Sequence, residues 1–365
     1  MIAMVAPMTP YERAVATLQN EPVDELPAYP LVCGLQRRLL PNQPITYHTW
    51  ATDAKICAQS FVEGYKQYKF PYSVLLEDLS VTANDFGAHV RMDAENTPFV
   101  DQHAITCIED YENLELPDIH KGRTGHLIEM NRLAVPELKG QSFLMSFLEG
   151  PLLTLSQTRG AEELFIDMYT DPAPIHKALE VTTEFCCQAV TAIGETGVEA
   201  MCWDYLWGNY AVLGDDEYMT FEGEKYAKRT NEATRKAGLG LAIHNCADMP
   251  HLDTQIKKFG VDGYSMAYYP QIAESPTMAS VIERGYADKC TIMGTIDPQE
   301  FMRGSYDTTY EITKNLCTDI KAAICKAGLN SHACIASGCE VPPDLETKWE
   351  CVKAVMDATH DYAAF

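Results

Sequence analysis

The chain alternates short apolar runs of β character with longer amphipathic ones, eight times over, and few folds satisfy that order. The runs are PAYPLV (27–32), SVLLED (73–78), SFLMSFLE (142–149), EAMCWD (199–204), LAIHNC (241–246), DGYSMA (262–267), CTIMGT (290–295) and ACIASGC (333–339). Between them lie helix-like stretches such as 173–193, opened by Asp171-Pro172, and 220–237, after which Gly238 and Gly240 punctuate the approach to the next strand. Strands that alternate with helices pair in parallel, and eight such units close into a TIM (β/α)8 barrel. An open doubly wound sheet is the alternative, but no GxGxxG follows an early strand. We expect one barrel domain over 1–365, with a helical extension over 1–25.

Composition limits what such a barrel can bind. Of 365 residues, 46% are apolar and 22% charged, enough for a large core and too apolar for wholesale disorder. Lys and Arg number 28 against 52 Asp and Glu, a formal net charge of −24. Nucleic-acid affinity rests on cations that neutralise phosphates, so no nucleic-acid partner is expected. The start, MIAMVAPMTPYER, lacks a basic n-region, and no apolar run reaches the roughly 18 residues of a membrane span. A soluble cytoplasmic protein with no membrane partner is the expectation. The 13 cysteines include no CxxC pair, so most are expected to be buried small hydrophobes, Cys186 and Cys187 among them. So many thiols fit an anaerobic metabolism.

The chemistry concentrates at strand ends. In AIHNCAD, residues i and i+2 of a strand face one side, so His244 and Cys246 point together at its end. The last run ends the same way, in IASGCEVPP, at Cys339. A lone His-x-Cys is often core filler. Three soft ligands at strand ends of one polarity instead fit Zn²⁺ with an open fourth position, on the rim where barrels keep their catalytic groups. Glu77 and Asp78, Glu149 and Asp204 end other strands, where each is either a buried hydrogen-bonding group or a metal-supporting or proton-transfer group. CWDYLWGNY and SMAYYP are unusually aromatic, and Trp203, Tyr205, Trp207 and Tyr268 are candidate walls for a flat ligand.

These residues carry a resemblance. TPYERAVATLQNEPVDELP, LEGPLLTLSQTRGAEELFIDMYTDP, the Asp204 strand, AIHNCAD and IASGCEVPP together resemble the uroporphyrinogen decarboxylase superfamily over essentially the whole chain. The resemblance implies a TIM barrel. Its decarboxylase branch carries an R-Q-A-G-R segment for the porphyrinogen carboxylates; LVCGLQRRLL here has Arg37 and Arg38 but not that motif. SVLLEDLSV resembles the decarboxylase segment that holds an essential aspartate, at Asp78. The cobalamin-dependent methyltransferase branch is marked by His-x-Cys and a distant Gly-Cys, which His244, Cys246 and Cys339 match. One departure stands out: thiol-methylating members read H-I-C-G, whereas this chain reads His244-Asn245-Cys246-Ala247.

The resemblance implies a zinc-dependent enzyme that exchanges a methyl group between a small molecule and the cobalt of a corrinoid. No DxHxxG-like corrinoid-binding stretch occurs, so the cobalamin is expected on a partner protein. The small molecule is a methyl donor or acceptor. The aromatic runs and the His-Asn-Cys-Ala departure point to a methoxylated aromatic undergoing O-demethylation, with Asp78, Glu149 and Asp204 as the catalytic acids. A thiol of the coenzyme M kind, a porphyrinogen-type decarboxylation, and a non-catalytic zinc- or corrinoid-binding barrel are the alternatives.

Overall fold

Each of the eight apolar runs holds one strand of a single parallel sheet, shown by a computed structural model that describes residues 5–364. In chain order the strands are β1 (Ala28–Tyr29), β2 (Tyr72–Leu75), β3 (His89–Arg91), β4 (Phe99–Gln102), β5 (Phe143–Glu149), β6 (Ala200–Asp204), β7 (Gly240–Asn245), β8 (Gly263–Met266), β9 (Thr291–Ile296) and β10 (Ala333–Ser337). The sheet runs β1-β10-β9-β8-β7-β6-β5-β2. Its two end strands meet through side chains: the Tyr29 hydroxyl accepts the Val74 amide at 3.2 Å, and the Cys33 thiol donates to the Val74 carbonyl at 3.7 Å. The result is a nearly closed TIM barrel. β1 stops at Tyr29 because Pro30 has no N–H for the ladder.

Helices ring the barrel as the apolar periodicity requires. Helix Pro172–Gly194 buries Ile175, Ala178, Leu179, Thr182, Phe185, Cys186, Ala189 and Ile193, a three-to-four spacing that forms one apolar stripe. The expected helix over 220–237 begins in π-helical turns (Met219–Ala227), continues as Lys228–Lys236, and ends before Gly238 at φ +78°. The hairpin β3–β4 was not foreseen. It pairs antiparallel outside the barrel, and its mostly exposed residues give no apolar run to recognise.

Interior side chains of the strands, Tyr72, Val74, Met145, Phe147, Cys202, Met293 and Cys334 among them, pack the barrel axis. Of the expected extension over 1–25, residues 1–4 lie outside the described residues, as does Phe365 of the expected domain. The extension contains one helix, Pro10–Leu18, started by a Thr9–Glu12 capping box. This helix crosses the N-terminal strand ends: Tyr72 and Thr291 donate to the Ala14 and Thr17 carbonyls, both at 3.2 Å, and the Tyr11 hydroxyl donates to Glu199 at 2.6 Å. The His244–Cys246 run and the strand-end acids lie at the opposite, C-terminal rim. No helix among the described residues is long and apolar enough to cross a membrane.

Candidate metal centre at the barrel rim

Parallel pairing places Glu149, Asp204, His244 and Ser265 opposite one another across β5, β6, β7 and β8. All four therefore share the inward face at the C-terminal rim. Cys246 follows His244 by two residues and takes the same side. Cys339 arrives from β10 through Gly338, where a Cβ would lie 2.8 Å from the Ala267 Cα; only glycine lets the two strand ends approach so closely. One ligand atom each of His244, Cys246 and Cys339 then falls within 4.8 Å of the others.

The surroundings prepare this trio for a metal. The His244 Nδ1 sits 2.9 Å from the Ser265 Oγ, which leaves Nε2 for coordination. Tyr269 donates to the Cys246 carbonyl at 2.7 Å and pins the turn beyond β7. The Cys246 thiol, as donor, holds the Cys339 pKa well below the ordinary thiol value, against the opposing pull of burial, with further help from His244. Cys246 is pushed up in return by the same bond and by burial. Burial alone would lower the His244 pKa, but Cys339 and Asp204 outweigh it and raise the value. Two sulfurs and one oriented imidazole are a donor set that fits zinc with one position left for a substrate atom.

The acids divide into paired and unpaired groups. Asp78 accepts from the Ser80 amide at 2.9 Å and from Arg123 Nη1 at 3.1 Å, and its other oxygen accepts from Arg123 Nη2. Glu77 takes the His126 Nδ1 at 2.5 Å and lies 3.5 Å from Arg123. By contrast, Asp204 and Glu149 are buried with no hydrogen-bond partner on any of their four oxygens. Burial pushes Glu149 up to about 8, with the charges of Asp78 and Asp204 adding to it. Burial likewise raises Asp204 to about 7, partly offset by His244. Glu340 accepts the Gly34 amide at 3.0 Å, and burial pushes it to about 8.

The aromatic residues correct the sequence reading. Trp203 alternates outward from Asp204, and its Nε1 donates to the Thr234 Oγ at 2.9 Å in the helical layer. Tyr205 stacks on Trp203 and bonds Thr230 and Asn231 there, at 2.6 and 3.0 Å. Both are fully buried away from the rim, so neither walls a ligand site. Trp207 donates to the Ser156 Oγ at 2.8 Å and packs edge-on against Phe165. Tyr268 is half-buried in the loop after β8. Asn245 also points outward: its amide donates to the Tyr205 and Gly208 carbonyls and to Gln255 at 2.9–3.0 Å. The departure from H-I-C-G is thus a buried loop tie, remote from the inward face. Arg123, Ser265 and Glu340 were missed; Ser265 could have been found by carrying the His244 register one strand further.

The uroporphyrinogen decarboxylase (URO-D) family pattern matches residues 9–362. The chain belongs to this family. Within the family it is 23% identical over 354 residues to the methylcobamide:CoM methyltransferase MtbA of Methanosarcina acetivorans, spanning 94% of this chain and 98% of that protein. The uroporphyrinogen decarboxylase of Hydrogenovibrio crunogenus is 23% identical over 229 residues, 60% of this chain and 63% of that one. Among solved structures, a methyltransferase from Methanosarcina mazei superposes with a TM-score of 0.79 at 17% identity, covering 98% of this chain and all of that one.

Proposed function

We propose that this URO-D family member is a methyltransferase that moves a methyl group from the cobalt of a corrinoid, carried by a separate protein, to the sulfur of a small thiol. The observation that carries the reading is the His244, Cys246 and Cys339 trio at the C-terminal rim. The similarity to a methylcobamide:CoM methyltransferase over 94% of the chain supports it; because a family decarboxylase matches over 96%, the trio and not the span of similarity separates the two readings.

His244 Nε2, Cys246 Sγ and Cys339 Sγ would hold zinc, which when bound supplies the Lewis acidity that makes a thiol a thiolate at neutral pH. The chain's own groups do the rest. Ser265 fixes the imidazole, and the Gly338 approach fixes the spacing of the two sulfurs. The unpartnered Asp204 carboxylate, across one strand from His244, receives the proton that the thiol gives up. The sulfur then attacks the methyl carbon as the cobalt–carbon bond breaks, with the electron pair left on cobalt. In-line displacement needs the corrinoid face at the rim, the end opposite helix Pro10–Leu18.

The thiol is preferred over a methoxyarene because two of the four arene walls, Trp203 and Tyr205, lie in the helical layer and Asn245 ties a loop. Porphyrinogen decarboxylation is disfavoured because Arg37 is engaged by the Gly34 and Pro343 carbonyls and by Glu95, and Arg38 by the Asp344 and Thr347 carbonyls. Anaerobic incubation with methylcobalamin and a thiol panel, and with cob(I)alamin and a methoxyarene panel, tests the choice. Loss of the methyl–cobalt spectrum with a thiol supports the proposal; methylation of cob(I)alamin by an arene overturns it.

A further inference from the structure

Beside the metal trio, the rim holds buried carboxyl groups, those of Glu149 and Asp204, that no side chain pairs. Glu149 ends β5 one strand from Asp204 and two from His244, on the same inward face. It is 1% exposed, and neither oxygen has a hydrogen-bond partner. The nearby arginines are committed elsewhere. Arg123 is held by Asp78 and Glu77, and Arg37 by two carbonyls and Glu95. Taking an ion out of water without a partner costs several kcal/mol, so an acid kept in this state has an external partner or remains protonated. Burial pushes Glu149 up to about 8, and a cationic group beside it would favour the carboxylate and draw it back down.

We infer that the small thiol handled at this rim carries an ammonium group, which Glu149 receives while the sulfur reaches the metal. The inference rests on the thiol reading above and deepens it. An ammonium offers three donors, and charge-assisted bonds to carboxylate oxygens are the strong ones. A sulfonate in the same place would meet carboxyl groups and no uncommitted arginine, so the rim selects against it by charge.

Calorimetric titration of the zinc-loaded full chain under anaerobic conditions tests this with three two-carbon thiols: 2-aminoethanethiol, 2-mercaptoethanol and 2-mercaptoethanesulfonate. At one pH, the aminothiol should bind about tenfold or more tightly than the sulfonate, the size of one good charge-assisted contact. Thiol acidity differs among the three, so Glu149→Gln isolates the carboxylate: it should remove most of the aminothiol's advantage while leaving 2-mercaptoethanol nearly unchanged. If Glu149→Gln does not fold, the wild-type order alone decides. Equal affinities, or tightest binding of the sulfonate, overturn the ammonium inference and leave the thiol reading intact. Binding of none of the three by fully zinc-loaded protein overturns both.

Discussion

Asp78 matches a functional position in the decarboxylases, yet here its carboxylate is spent on Arg123 and Ser80, so its removal should show first in stability. Asp78 is 1% and Arg123 8% exposed. Truncating one member of a buried pair strands the other charge, which typically costs about 3–5 kcal/mol. Glu77 stays 3.5 Å from Arg123 and keeps part of the compensation, so Asp78→Ala should fall near the lower end, about 3 kcal/mol. With the entropy of unfolding scaled to 365 residues, that lowers Tm by about 4 °C. Asp78→Ala/Arg123→Met should recover part of the loss, because Arg123 is no longer stranded while Glu77 keeps His126. Urea unfolding of the three proteins, with zinc content measured on each, is the assay. A single variant within 0.5 kcal/mol of wild type, about the scatter of a surface change, or a double variant no better than the single, refutes the pairing argument. Normal stability with lost activity would return Asp78 to a catalytic role.

Other outcomes follow from the same geometry. Cys339→Ala should lose most of the zinc, read by metal analysis after dialysis, since it removes one of three protein ligands. Ser265→Ala should keep the fold but weaken zinc about 10–100-fold in a chelator competition, as loss of an orienting partner usually does. Burial pushes Glu149 from the ordinary carboxylate range up to about 8, so the folded state holds the proton more tightly. Its contribution to stability is present below the unfolded value and is lost as pH rises from about 4.5 to about 8, at up to roughly 1.4 kcal/mol per pH unit. Denaturation of metal-free protein across that window should show the decline, and Glu149→Gln should make it shallower while Asp204 and Glu340 keep their share. Trp203→Phe should cost about 1 kcal/mol through the lost bond to Thr234 and leave thiol binding unaltered, because the ring faces the helices.

The barrel was readable because its signal is periodic and repeated. Eight apolar runs separated by helical stretches leave few topologies, and each run holds a strand. The metal trio was readable for a related reason: strand alternation fixes the facing of His244 and Cys246, and strand polarity fixes the end at which Cys339 emerges. What failed was side-chain direction just past a strand end. Trp203 sits one residue before an inward aspartate, so alternation already sends it outward, and composition misled where period would have served. Asn245, between inward-facing His244 and Cys246, is sent outward by the same alternation, whereas Tyr205 lies past the end of β6 and is decided by its partner Thr230. Asp78 was located, but its partner Arg123 comes from helix Gly122–Leu138, 45 residues away, and that pairing leaves no mark in sequence. The β3–β4 hairpin was lost because an exposed ribbon has no apolar face to announce it.

The account turns on zinc at the rim holding a substrate sulfur. X-ray absorption at the zinc edge, on protein loaded with one zinc per chain, reads the ligands directly. Without thiol, the spectrum should fit two sulfurs near 2.3 Å and one imidazole nitrogen near 2.0 Å, plus one light atom. With saturating 2-aminoethanethiol it should fit three sulfurs, and in Cys339→Ala one fewer in each state. A zinc with no sulfur ligands, or a sulfur number that does not change when thiol is added, contradicts the account.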